Sequence, residues 1–232
     1  MDGYRDTSID LMMRFADAGF SVHTPVFFDL SGLNQTAAAV VGFSRICVSR
    51  EFHVLTTKGD SPAAAWVRDL AQHLSNERGR KVGVVGMCFT GGLALAAIAN
   101  DGVGAAVVAQ PAMPFANGPR PLGSEVRRRS FGLSAAEETA VMNSSTPILA
   151  LRFDRDSMSP RERVIEIDSF AAGCAVWVRD ANGSELEGHP HPTLTAAFRD
   201  TKETIAQASE TAISRVVDFL HANLGSGDVE DR

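Results

Sequence analysis

Only three cysteines occur in the 232 residues, Cys47, Cys88 and Cys174, widely spaced and without a C-x-x-C pair. An odd, scattered set with no neighbouring ligand cluster argues against a disulfide framework or a zinc site. Positive charge is also short. With 22 Lys and Arg against 28 Asp and Glu, the formal net charge is −6, which excludes nucleic acid or an anionic membrane as the main partner, since both need a basic face. The only basic run, Arg127-Arg128-Arg129, reads as a solvated face rather than an anion site. Long hydrophobic stretches are missing too: no segment reaches the ~20 apolar residues that cross a bilayer. The N-terminus lacks a basic stretch, apolar core and small-residue cleavage site, so the expected location is cytoplasmic. Aromatics are sparse at 7%, but 44% hydrophobic and 22% charged residues are ordinary for a globular chain, so composition alone names no function. The length suffices to bury a core without staples.

What is present is an alternation of helical and strand patterns. Ile9, Met12, Met13 and Ala16 follow helical spacing, and Gly19 ends that helix before the strand-like "FSVHTP". Residues 29–60 are turn-rich, with a short helix expected around 36–43. "DSPAAAWVRDLAQHLSNERG" offers Ser61 as N-cap and Pro62 at the first helical position, with Trp66, Val67, Leu70 and Leu74 on one face. "KVGVVG", "GAAVVAQ", "TPILALRF" and "CAVWVRD" read as short strands, the first apolar on both faces as parallel sheets require. Residues 201–224 read as a long amphipathic helix with Ile205, Ile213, Val216, Val217 and Leu220 on its apolar side. The expectation is one α/β domain over residues 1–224, doubly wound with a mostly parallel sheet, followed by a disordered tail over 225–232.

Cys88 falls where a strand turns into a helix, with Gly86 two residues before it and Gly91 and Gly92 after it. Such an elbow holds a side chain above the sheet edge, and the following helix start favours a thiolate there. Phe89, the next residue, supplies the first backbone N–H for an oxyanion. A lone Cys in an apolar stretch is most often a packed core residue, so its partners decide. A nucleophile needs a His to move its proton and an acid to orient that His. Asp154 and Asp156 follow "TPILALRF", and His189 and His191 follow "CAVWVRD", so the order Cys, Asp, His is available.

With "MCFTGGLALA", "LRFDRDSMSPRER" and "HPTLT" in that order, and "RFADAGFSVHTPVFF" ahead of them, the sequence resembles the dienelactone hydrolases over nearly its whole length. The resemblance implies an α/β-hydrolase fold, no cofactor, and a lactone or small ester cleaved through an acyl-enzyme. By position it implies Cys88 as nucleophile, Asp156 as orienting acid and His191 as base. Asp154 then reads as a turn or surface carboxylate, His189 stays open as the alternative to His191 because it fits a Gly-His reading though not the His-x-x-Leu-Thr frame, and His23, His53, His73 and His221 read as surface or structural histidines.

Three departures stand out. Thr90 occupies a place where the family usually has Gly, so it is expected either to strain the turn or to line the pocket. Thr195 stands four residues after His191 where members acting on dienelactone carry an arginine, and Arg50 and Glu51 read as a surface pair, so another lactone, a thioester or a small ester is an open substrate. The family's first strands, with a loop bearing a second oxyanion donor and a glutamate, are expected to be missing, "MDGY" resembling the end of that loop; either the chain is a truncated member with a reduced sheet or, the favoured account, Met1 is internal in the natural product. The expected partner is a small-molecule ester or lactone, with neither nucleic acid nor membrane, bound by a monomer or homodimer. The alternatives are a catalytically degenerate fold that binds small molecules or acts as a scaffold, and a glutamine amidotransferase type, disfavoured because Thr193 stands where its glutamate belongs.

Overall fold

A computed structural model describes residues 6–27, 61–116, 124–198 and 202–225. Cys47, Arg50, Glu51, His53, the helix expected at 36–43 and the tail beyond Gly225 lie outside them.

Among the described residues, four strands form one sheet in the order β1 (Val82–Met87), β2 (Val103–Ala109), β3 (Ile148–Phe153) and β4 (Ala175–Val178), every neighbouring pair parallel. Their composition fits that position. β2 and β3 are buried at every residue, and a strand covered on both faces cannot alternate polar with apolar. The side chains do alternate in destination. Ala105, Val107, Ala109, Leu149, Leu151 and Phe153 pack on one face against α1 (Asp6–Asp17) and the long C-terminal helix α7 (Glu203–Leu224). Ala106, Val108, Ile148 and Ala150 pack on the other. There they meet α2 (Pro62–Arg78), α3 (Gly91–Ala97), α5 (Ala135–Met142) and α6 (Arg161–Phe170), while the short α4 (Glu125–Arg129) sits against α6. The sheet is therefore doubly wound.

The start of α2 follows its expected chemistry. The Ala64 N–H donates to Ser61 Oγ at 3.3 Å, Pro62 opens α2, and Gly79 closes it at φ 63°. Two buried faces differ from the sequence pattern. α1 buries Leu11 and Phe15, an i, i+4 pair, and leaves Ile9 and Met13 exposed. α2 buries Ala64 and Ala71 and leaves Trp66 exposed, because its neighbour α3 is built of small residues that admit an alanine stripe at close range.

"FSVHTP" also departs from its strand-like pattern, having no regular structure over residues 20–25. A strand exists only with a ladder partner, and among the described residues β1 pairs with β2 alone. Between residues 20–27 and β1 lies an apolar cavity of about 470 Å³, lined also by Val67, Leu70 and Leu74 of α2. Two members of the arginine triplet are taken up in ion pairs, Arg128 gripping Glu162 with two 2.9 Å bonds and Arg129 reaching Glu166 at 3.1 Å and Glu125 at 3.2 Å, while Arg127 donates to the Phe115 carbonyl at 3.3 Å. Among the described residues no helix is long and apolar enough to cross a membrane.

Candidate active site

The site lies at the carboxyl end of the parallel sheet, where the strand ends of a doubly wound fold leave room for it. β1 stops at Met87, a single 3₁₀ turn covers Cys88–Thr90, and α3 begins at Gly91. Cys88 itself takes φ 52°, in the left-handed region that L-residues other than Gly avoid. Two features allow so tight a turn. Gly86 lies under it: a Cβ at that position would overlap the Thr90 carbonyl oxygen and sit 2.7 Å from Ala94 Cβ. Thr90 closes it from above, its hydroxyl accepting the Met87 N–H at 2.9 Å and donating to the Met87 carbonyl at 3.0 Å. Thr90 itself takes φ −87° and ψ 0°, in the right-handed region, and it borders the apolar cavity beside β1 while its hydroxyl is spent on the turn.

The acid loop follows β3. Asp156 side-chain oxygens are fully buried, and Oδ1 accepts the N–H groups of Met158 at 2.8 Å and Ser159 at 3.1 Å. Beneath the loop, buried Arg152 donates to the carbonyls of Asp154, Asp156 and Ser159 at 3.0, 2.7 and 2.9 Å. The third loop follows β4 and ends near α7, where Ser209 donates to the Thr193 carbonyl at 2.7 Å and Thr193 leans on the His191 carbonyl at 3.4 Å.

These loops bring three side chains into line. His191 Nδ1 lies 2.9 and 2.8 Å from the two Asp156 oxygens, and His191 Nε2 lies 3.0 Å from Cys88 Sγ. An ionised carboxylate only accepts, so the Nδ1 position carries the proton and Nε2 addresses the sulfur. Burial works against charging His191, but its hydrogen bonds to Asp156 and Cys88 outweigh that and raise its pKa to about 9. The imidazolium is thus favoured next to the sulfur. The pair is half-buried, with 17% of the His191 side chain exposed.

The other candidates stand apart. His189 is exposed, with Nδ1 3.0 Å from the Arg155 carbonyl. His221 stacks on Phe20, His73 is an exposed neighbour of Glu77, and His23 is exposed near Ser21. Asp154 does lie in the turn after β3, but it is not at the surface: its side chain is 1% exposed and paired with Arg179 and, at 3.8 Å, Arg161. Both arginines lean over it from the solvent side, which removes it from water. Cys174 is buried on the α6 side of the sheet, where burial and nearby Asp168 push its thiol up to about 12. Among the described residues no cluster of His, Cys, Asp or Glu is arranged to hold a metal ion.

A model of the dienelactone hydrolase family matches residues 1–224. The chain belongs to that family. No curated protein matches the chain. Dienelactone hydrolases are α/β-hydrolases, and the parallel sheet with helices on both faces is that fold. Membership makes the chain a hydrolase of the dienelactone hydrolase type. Arg152, Ser159 and Arg163, which lie under its loops, fall within "LRFDRDSMSPRER", but that segment alone does not mark their partners, which are backbone carbonyls.

Proposed function

We propose that the protein cleaves a lactone or small ester by nucleophilic catalysis, with Cys88 as nucleophile, His191 as proton carrier and Asp156 as the acid that orients it. The observation that carries this reading is the unbroken contact from Cys88 Sγ through His191 to Asp156. The Cys88 thiolate, paired with the His191 imidazolium, adds to the substrate carbonyl carbon, and the carbonyl electron pair moves onto oxygen. The main-chain N–H of Phe89, directly after the nucleophile, is assigned to that oxyanion. Collapse breaks the carbon–oxygen bond of the ester, and the His191 imidazolium gives its Nε2 proton to the leaving alkoxide. A thioester-linked acyl-enzyme remains. Neutral His191 then takes a proton from water as it attacks, the carboxylic acid departs, and the thiolate–imidazolium pair is restored. Asp156 keeps Nδ1 protonated throughout.

The substrate is a small molecule, and the chemistry calls on no metal or organic cofactor. A panel of p-nitrophenyl esters and simple lactones tests the proposal. Turnover is expected for at least one short ester, falling at least about 10³-fold in Cys88→Ala. Full turnover by that variant would sink the assignment.

A further inference from the structure

Residues 110–116 connect the two halves of the site. Ala112 N–H donates to the Cys88 carbonyl at 2.9 Å. Pro111 packs over the start of α3 so closely that a Cβ on Gly91 would lie 2.9 Å from Pro111 Cβ. This segment is therefore the floor on which the nucleophile turn rests. The Pro111 carbonyl accepts from two side chains, Ser159 Oγ at 3.0 Å and Arg163 Nη1 at 3.1 Å. Ser159 is also the residue whose N–H holds Asp156 Oδ1. A continuous path thus runs from Asp156 through Ser159 and Pro111 to Ala112 and the backbone of Cys88.

Arg163 is the strongest member of that junction and the least expected. It is fully buried on α6, and among the described residues no carboxylate lies within ion-pair distance of it. Its guanidinium is spent on four carbonyls instead: Ser130 at 2.8 Å, Pro111 at 3.1 Å, Arg127 at 3.1 Å, and Pro114. Burial, with Arg128 and Arg127 close by, pushes its pKa down to about 9. A cation held against such opposition needs all its donors satisfied, and only a planar fork reaches carbonyls on several sides at once.

We propose that Arg163 and Ser159 are positioning residues for the hydrolytic site, fixing the 110–116 floor so that the Cys88 turn and the Asp156 loop keep the spacing His191 must bridge. This rests on the Cys88–His191–Asp156 reading above. A role in stability alone would lower the melting temperature and leave the Cys88–His191 pair intact in whatever folds. A positioning role loosens that pair in the folded protein.

Ser159→Ala and Arg163→Lys in the full chain separate the two, read by iodoacetamide labelling of Cys88 from pH 5 to 9, with His191→Ala as the reference for an unpaired thiol. Melting temperatures identify folded variants. Folded Ser159→Ala and Arg163→Lys are expected to label Cys88 at pH 6 at least about fivefold more slowly than the parent, approaching His191→Ala, with kcat on an active ester down about tenfold and KM within about twofold. A folded variant with the parental labelling profile overturns the proposal. If Arg163→Lys does not fold, Ser159→Ala decides by the same readout. Should His191→Ala label as fast as the parent, the triad reading itself has failed and the positioning role falls with it. Parental His191 dependence that survives in folded Ser159→Ala sinks the positioning role alone.

Discussion

Cys88 and Gln110 follow directly on the register partners Met87 and Ala109, and both take a left-handed backbone, with φ of 52° and 36°. Two adjacent parallel strands thus leave the sheet through turns that a side chain disfavours. At Cys88 the cost is separable from the chemistry. Cys88→Gly and Cys88→Ala both remove the sulfur, but only glycine occupies φ 52° without penalty, so Cys88→Gly should be the more stable by about 1 kcal/mol. Urea unfolding of the two variants measures the difference. Equal stabilities would mean that the turn relaxes once the thiol is gone.

Asp156 accepts two backbone N–H groups besides facing His191, so Asp156→Asn keeps a similar shape while offering a donor where Nδ1–H needs an acceptor. The expected result is a folded protein with kcat lower by at least about 10²-fold, since the imidazole is held in the wrong tautomer. A loss under about threefold would remove Asp156 from its assigned role.

His191 links the site to pH. Its folded pKa is raised from 6.5 to about 9 by Asp156 and Cys88 against the opposing effect of burial. A raised pKa stabilises the folded state fully below the unfolded value, and that contribution is lost as pH rises through the folded one. The stability gap between the parent and His191→Ala should therefore be widest near pH 6 and narrow by pH 10, by at most about 3 kcal/mol. Denaturant unfolding at both pH values checks this. A gap that widens with pH would show the sign to be wrong.

Gly86 tests the turn itself. A methyl group there meets the Thr90 carbonyl oxygen and the Ala94 Cβ, a backbone atom and a side-chain atom without a rotamer to move it away. Gly86→Ala should cost roughly 3 kcal/mol or more. Soluble expression and thermal unfolding read it out; a parental melting temperature would mean that α3 shifts freely.

Cys174 supplies an internal control for thiol chemistry. With its thiol raised to about 12 by burial and by Asp168, it should remain unlabelled by iodoacetamide at pH 7.5 while the protein is native, and react on unfolding in urea. Peptide mass analysis distinguishes it from Cys88. Native labelling of Cys174 at the rate of Cys88 would contradict its placement.

The parts legible in sequence were those written in local patterns. Short apolar runs bounded by turn residues marked each of the four described strands, and Ser61-Pro62 marked the start of α2. The order of Cys88, Asp156 and His191 after their own strands was legible for the same reason. Which helix face turns inward was less so. Leu11 and Phe15 lie on α1 as plausibly as Ile9 and Met13 until the facing strands are known. "FSVHTP" has strand-like composition, but composition does not provide a ladder partner. Least legible were Arg152 and Arg163, since their partners are backbone carbonyls, as many as 52 residues away in the chain, and carbonyls leave no mark on a sequence.

Thr90 changes what a search pattern for this turn should ask. A pattern demanding glycine two places after the cysteine encodes one solution to the geometry, in which nothing is attached at that position. This chain uses another, a hydroxyl that both receives from and gives to Met87. The admissible alphabet at that position is therefore the absence of a side chain or the presence of a short one with both hydrogen-bonding senses. Serine belongs to that alphabet and valine, nearly the same shape as threonine, does not.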